Sequence, residues 1–113
     1  MRKINWGVIG LGNIAQKFLA SFSEVHNSNL LAISSNDNLK LELNKKKFGI
    51  KNDFAFGGYE KLIQCDEVDI VYISLPNSMH FYWINKCIEY KKNFLIEKPA
   101  TINLNEAKII KKN

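Results

Sequence analysis

The sequence predicts an α/β fold: a doubly wound parallel sheet of about five strands with helices on both faces. Three observations predict it. Short apolar runs alternate with longer segments in which apolar residues recur at three- and four-residue steps. The first run ends in Gly10-Leu11-Gly12, a glycine turn that opens a helix. The clearest run, Val68 to Leu75, is almost continuously apolar and rich in β-branched and aromatic residues, as befits a strand covered on both faces. With 113 residues, 46% hydrophobic and 24% charged, the chain is read as one globular domain, residues 1–113, with a single core.

The elements follow in order. Ile4 to Ile9 is the first strand; after its glycine turn, Ile14, Phe18, Phe22 and Val25 place one helix face on the sheet. Leu30 to Ile33 is the second strand, and the small polar residues from Ser34 to Asn38 end it and cap the next helix. Leu39, Leu43 and Phe48 carry that helix to Gly49, a C-terminal stop. A short strand around Phe54 to Phe56, a Gly57-Gly58 turn and a brief helix from Tyr59 to Gln64 lead to the fourth strand, which Pro76-Asn77 terminates. From Met79 a helix carries Ile84 and Ile88 on one stripe. Phe94 to Ile96 is the fifth strand, and Asn103 to Lys112 reads as a last helix with Leu104, Ala107 and Ile110 inward.

Composition excludes several function classes. The formal charge of +5 and a pI near 9.2 permit polyanion binding. However, the lysines are scattered in short groups, such as Lys45-Lys46-Lys47 and Lys111-Lys112, without interleaved aromatics for base stacking. They read as solvated helix faces, and no nucleic acid is expected as a partner. Cys65 and Cys87 have neither metal-ligand nor redox spacing, which argues against a disulfide framework and for a cytoplasmic location. Polar residues and glycines interrupt the N-terminal apolar stretch, so it is not a signal peptide, and no run is long enough to span a membrane. No metal site is expected.

Gly10-Leu11-Gly12-Asn13-Ile14-Ala15 fits a dinucleotide fingerprint with alanine in the third small position. Each small residue has a physical task. Gly10 permits the tight turn, Gly12 lets the backbone approach a pyrophosphate, and Ala15 lets the helix pack close to the strand. The helix N-terminus then offers N–H groups and a positive dipole end to the phosphates. The acid that usually holds the adenosine ribose of NAD stands about 20 residues further on, at the end of the second strand. Here that place reads Ser34-Ser35-Asn36-Asp37. A strand ending at Ser34 or Ser35 leaves a serine facing the ribose and Asp37 in the next helix cap. This favours NADP over NAD, although Lys40 would have to reach back for a 2′-phosphate. A slightly later strand end returns Asp37 to the ribose as an NAD ligand.

Two further motifs lie where the fourth and fifth strands end, the edge at which doubly wound sheets bind ligands: Leu75-Pro76-Asn77-Ser78-Met79-His80 and Glu97-Lys98-Pro99. With these the sequence resembles the Gfo/Idh/MocA family of NAD(P)-dependent oxidoreductases, named for glucose-fructose oxidoreductase and inositol dehydrogenase. Its N-terminal, Rossmann-like domain shows a G-x-G-x-x-A turn, a fourth strand running into P-N-x-x-H and a fifth running into E-K-P. All three occur here in that order, and the resemblance covers essentially the whole chain.

The resemblance implies roles residue by residue. Gly10, Gly12, Asn13 and Ile14 would hold the pyrophosphate, Ser34, Ser35 and Asn36 the adenosine ribose, and Leu75, Pro76, Asn77 and His80 would line the cofactor toward the nicotinamide. Glu97 would sit at the nicotinamide ribose. Lys98 would be the catalytic residue, bonded to the reacting oxygen or tuning the group that exchanges its proton. The bland readings stand beside these. Glu97-Lys98 alone would be a surface ion pair, His80 could cap or support its helix, His26 is a loop residue, and Trp6, Trp83 and Tyr72 serve packing.

Family members continue into a larger α+β domain that supplies the catalytic histidine and most of the substrate pocket. The resemblance thus implies a chain truncated relative to the family, with that domain absent. Such a chain would be the NADP- or NAD-binding part of an oxidoreductase acting on a sugar or polyol, catalytically incomplete alone and prone to self-association through uncovered apolar surface. The alternative is a dinucleotide-binding module without catalysis.

Overall fold

The computed structural model of the chain describes residues 3–24 and 27–96. Val25, His26, the Glu97-Lys98-Pro99 motif and the expected helix Asn103 to Lys112 lie outside the described residues. The strands are β1 (Ile4–Ile9), β2 (Ser28–Ser34), β3 (Ala55–Phe56), β4 (Ile70–Ile73) and β5 (Asn93–Ile96). The helices are α1 (Asn13–Ala20), α2 (Asn38–Phe48), α3 (Tyr59–Ile63) and α4 (His80–Glu89), with 3₁₀ turns at Ser21–Glu24, Asn52–Phe54 and Asn77–Met79.

All strand pairs are parallel, in the spatial order β3-β2-β1-β4-β5. The chain therefore winds outward from β1 to β3, returns to the other side of β1 with β4, and winds outward again. Strand order reverses between β1 and β4, and the crevice at their carboxyl ends is where such sheets take ligands.

Successive strand residues point to opposite faces, so each strand feeds two cores. Val8, Ile33 and Tyr72 meet Ala15, Leu19 and Leu41 of α1 and α2 on one face. On the other, Ile9, Ala32, Val71, Ile73 and Ile96 meet Leu62 and Ile63 of α3 and Ile84 and Cys87 of α4. This double covering explains the continuous apolar runs. Tyr72 stacks on Phe18 at 3.8 Å between ring centroids, and Trp6 packs edge-on to Phe18 at 5.4 Å.

Two helix faces differ from the sequence expectation. In α2, Leu39 and Leu43 are 78% and 69% exposed, while Leu41 and Asn44 point inward. Asp37 sets the start of this helix by capping, and Asn44 finds partners inside: it accepts from Gln16 Nε2 at 2.8 Å and donates to the Lys40 carbonyl at 2.8 Å. A polar side chain whose hydrogen bonds are satisfied can occupy an inward position. In α4 the buried stripe is His80, Ile84 and Cys87, at steps of four and three, and Ile88 is 39% exposed. The fourth strand is also shorter than its apolar run, because Val68 lies in the turn before it. Lys92 secures that turn by donating to the carbonyls of Cys65 at 2.7 Å and Val68 at 2.6 Å.

Cys65 and Cys87 are both free thiols. Burial pushes the Cys87 thiol from 9.0 up to about 12, against the smaller opposing influence of the Lys92 ammonium. A folded-state value above the unfolded one gives stability that is complete below the unfolded value and lost as pH rises through the folded one. Cys87 should thus make the chain progressively easier to unfold between about pH 9 and 12. Urea unfolding of the chain and of Cys87→Ala across this range checks it: the difference in stability between them should shrink as pH rises. Among the described residues, no helix is long and apolar enough to cross a membrane.

Candidate functional site

The carboxyl edge of the sheet brings together the turns that follow β1, β2, β3 and β4. At the centre, the Gly10 N–H donates to the Ser34 carbonyl at 3.1 Å and the Ser74 N–H donates to the Ile9 carbonyl at 3.0 Å, so the end of β1 is bonded to both neighbours. Gly10 has φ +91°, a conformation that side-chain-bearing residues rarely adopt. A Cβ there would strike the Ser74 carbonyl and come within 2.8 Å of Leu75 Cδ2. The turn after β1 thus rests directly on the turn after β4.

Beyond it, α1 begins at Asn13 with Gly12 as its N-cap. That cap makes no side-chain hydrogen bond, and the first turn holds no acidic residue. Gly12 is exposed, and a Cβ built on it meets nothing within 4 Å. The first N–H groups of a helix have no intrahelical acceptor. This end of α1 therefore presents donors and a positive dipole end beneath open space, which suits an anion.

The turn after β2 is closely wired. Ser34 ends the strand, fully buried, and its hydroxyl donates to the Val8 carbonyl at 3.4 Å. Ser35 is also buried: its N–H donates to the Phe56 carbonyl at 3.2 Å and its hydroxyl accepts from the Asp37 N–H at 3.1 Å. Asp37 caps α2, with one carboxylate oxygen accepting from Leu39 N–H at 2.9 Å and Lys40 N–H at 3.2 Å. The aspartate is thus a helix cap, as its position implied. Of Ser34, Ser35 and Asn36, the three residues expected at the ribose, Asn36 is the one whose side chain is exposed.

After β4, Leu75 is half-buried beneath Gly10, while Pro76 and Asn77 are exposed on the loop. His80 opens α4 and is buried, with Nε2 2.8 Å from the Leu75 carbonyl oxygen. A carbonyl only accepts, so Nε2 carries the proton in this contact. The imidazole ties the helix start to the very residue that touches Gly10. The side chains expected to hold a ligand from β1, β2 and β4 thus share one edge. Strand β5 runs to Ile96 beside β4, and Glu97 and Lys98, which follow it, lie outside the described residues.

One feature was not legible in the motifs: a groove of about 480 Å³ between α3 and α4, lined by Asn36, Tyr59, Glu60, Gln64, Met79 and Trp83 among others. The Tyr59 and Trp83 rings meet edge to face at 5.3 Å between centroids. The Tyr59 hydroxyl takes a hydrogen bond from the Asn36 backbone N–H, and burial raises its pKa from the ordinary value more than that bond lowers it. Further down, Glu60 accepts from the Tyr90 hydroxyl at 2.8 Å and lies 3.7 Å from the Lys86 ammonium. The sequence reading assigned Trp83 to packing, whereas the structure makes it packing and groove wall at once. The available signal was position: Tyr59 and Trp83 follow β3 and β4 closely, on the edge where ligands bind.

A doubly wound parallel sheet with a glycine turn and a bare helix N-terminus at its switch point defines a Rossmann dinucleotide-binding domain. Residues 4–113 match the model of the Gfo/Idh/MocA family, described as an oxidoreductase family with an NAD-binding Rossmann fold, and the chain belongs to that family. It is similar to the dTDP-3,4-didehydro-2,6-dideoxy-α-D-glucose 3-reductase of Saccharopolyspora spinosa, 35% identical over 103 residues, which are 89% of this chain and 30% of that one. It is also similar to D-xylose 1-dehydrogenase (NADP(+)) 2 of Haloferax volcanii, 31% identical over 101 residues, 89% of this chain and 30% of that one. Among solved structures, a 3-ketoreductase from Actinomadura kijaniata in complex with NADP and TDP-benzene superposes with a TM-score of 0.83 at 29% identity, covering 98% of this chain and 34% of that one. The chain thus spans about a third of the length of the relatives it matches.

Proposed function

We propose that this chain binds NADP or NAD along the carboxyl edge of its sheet and forms the cofactor-binding part of an oxidoreductase acting on a sugar, polyol or related small molecule. The observation that carries this reading is the open space above Gly12 at the uncapped start of α1, set where the strand order reverses. The residues present fit the group. Gly12 and the first-turn amides of Asn13 and Ile14 would hold the pyrophosphate beside the Gly10 turn, and Asn36, supported by Ser34 and Ser35, would meet the adenosine ribose. The groove walled by Tyr59, Met79 and Trp83 is apolar, aromatic and adjacent to Asn36, which suits the adenine ring.

On the other side of the switch point, Leu75, Pro76, Asn77 and His80 would line the path toward the nicotinamide, with Glu97 at its ribose. When bound, the nicotinamide supplies the hydride donor or acceptor. Lys98 would hold the reacting oxygen and give or take its proton at Nζ, working with a second domain that completes the substrate pocket. Asp37 is engaged in capping, which supports NADP as the preferred cofactor, and the Haloferax and Actinomadura proteins carry NADP in their names or complexes.

A ligand that binds only the folded state raises its melting temperature. Thermal unfolding of the purified chain with NADPH and NADH in parallel should show stabilisation, larger with NADPH. A folded chain that neither nucleotide stabilises would overturn the reading.

A further inference from the structure

The hydrogen bonds of the turn after β2 form a nearly complete account. The Ser35 N–H goes to the Phe56 carbonyl, the Asp37 N–H to the Ser35 hydroxyl, and the Leu39 and Lys40 N–H groups to the Asp37 carboxylate. Each of these partners belongs to the turn itself or to β3, which pairs with β2. The Asn36 N–H differs, because it goes to the hydroxyl of Tyr59, a side chain at the start of α3. Asn36 sits at the tip of the turn with its side chain exposed, and both it and Tyr59 line the groove between α3 and α4.

Tyr59 is well placed to act as a fixed post. Its ring packs against the core cluster that includes Leu62 and Ile63, and meets Trp83 of α4 edge to face. A hydroxyl carried on a ring held in this way is preorganised, so the backbone it binds loses conformational freedom before any ligand arrives. One residue therefore touches both the wall of the groove and the backbone of the turn beside it.

We propose that Tyr59 is a positioning residue for cofactor choice: its hydroxyl fixes the Asn36 turn, so that the base in the groove and the substituent on the ribose 2′ position are recognised together. The inference rests on the reading that this edge binds a dinucleotide. Its chemistry needs no charge on the tyrosine. The phenol acts as hydrogen-bond acceptor toward the Asn36 N–H, and the ordered turn presents the Asn36 amide, both donor and acceptor, to the ribose.

Tyr59→Phe removes the hydroxyl and keeps the ring, so the packing against Trp83 and the core survives. The readout is the ratio of affinities for adenosine 2′,5′-bisphosphate and AMP, which differ only in the 2′-phosphate, measured by calorimetric titration of the full chain. Tyr59→Phe should move this ratio toward one by about fivefold, the effect of one well-made hydrogen bond. Asn36→Ala should move it similarly, and the double variant should go little further, because the two act through one contact. A Tyr59→Phe chain that melts as the parent does and keeps the parent ratio overturns the inference while leaving dinucleotide binding intact. Additive effects in the double variant also overturn it. If the parent binds neither probe and neither dinucleotide, the functional reading falls first and this inference falls with it.

Discussion

Gly10→Ala should destabilise the fold by about 3 kcal/mol, the sum expected for forcing a side chain into a left-handed backbone and into a filled space. Gly10 holds φ +91°, and an added methyl group would meet the Ser74 carbonyl and Leu75 Cδ2. Relief would require β1 and the turn after β4 to separate, breaking the bonds from Gly10 to Ser34 and from Ser74 to Ile9. For a domain whose whole stability is of the order of 5–15 kcal/mol, this is a large share. Urea unfolding would show it as a midpoint moved well down at unchanged slope. A midpoint within experimental error of the parent would mean that the turn is not built as described.

Gly12→Val, two residues on, should do the reverse. At φ −79° and ψ −170°, Gly12 has an extended backbone that any residue adopts, and a Cβ there touches nothing. Stability should change by no more than about 0.5 kcal/mol, the usual range for an exposed position without special geometry. Dinucleotide affinity should nevertheless fall by about 100-fold, or ~2.7 kcal/mol. The isopropyl group would stand in the space through which a pyrophosphate must reach the amides of α1. Calorimetric titration with NADPH beside a urea curve separates the two effects. Together the glycines would divide the motif: Gly10 serves the fold and Gly12 the ligand. A Gly12→Val chain that binds NADPH as the parent does would remove the pyrophosphate from this helix end.

Much of the architecture could be read from residue order, since strand, glycine turn and helix are local signals and Val68 to Leu75 announces a doubly covered strand. The end of β2 at Ser34 and the capping role of Asp37 were legible because small polar residues after an apolar run have few other uses. Helix rotation was harder to read. Leu39 and Leu43 have the spacing of an inward stripe, yet α2 turns Leu41 and Asn44 to the sheet, because Asn44 has a partner in Gln16 that is 28 positions away. Ile88 failed for a related reason: Cys87, a small residue easily passed over, takes the third place in the buried stripe of α4. The site was legible where a motif is contiguous, as at Gly10 to Ala15 and at Leu75 to His80. It was not legible in the groove, which Asn36, Tyr59 and Trp83 build from three separate turns.

The reversal of strand order also has a kinetic side. The pairings of β1 with β2, β2 with β3 and β4 with β5 each join consecutive strands across a single crossover, but β1 with β4 joins distant ones: the Asn5 N–H donates to Asp69 at a separation of 64 residues. Loops that long close late, because their entropy must be met before the contact rewards it. The edge that would receive the nucleotide is therefore assembled by the slowest pairing in the described sheet. A nascent or partly opened chain could keep β1 to β3 in order and have no crevice, so the capacity to bind would appear only at the last step of folding and vanish at the first step of its reversal.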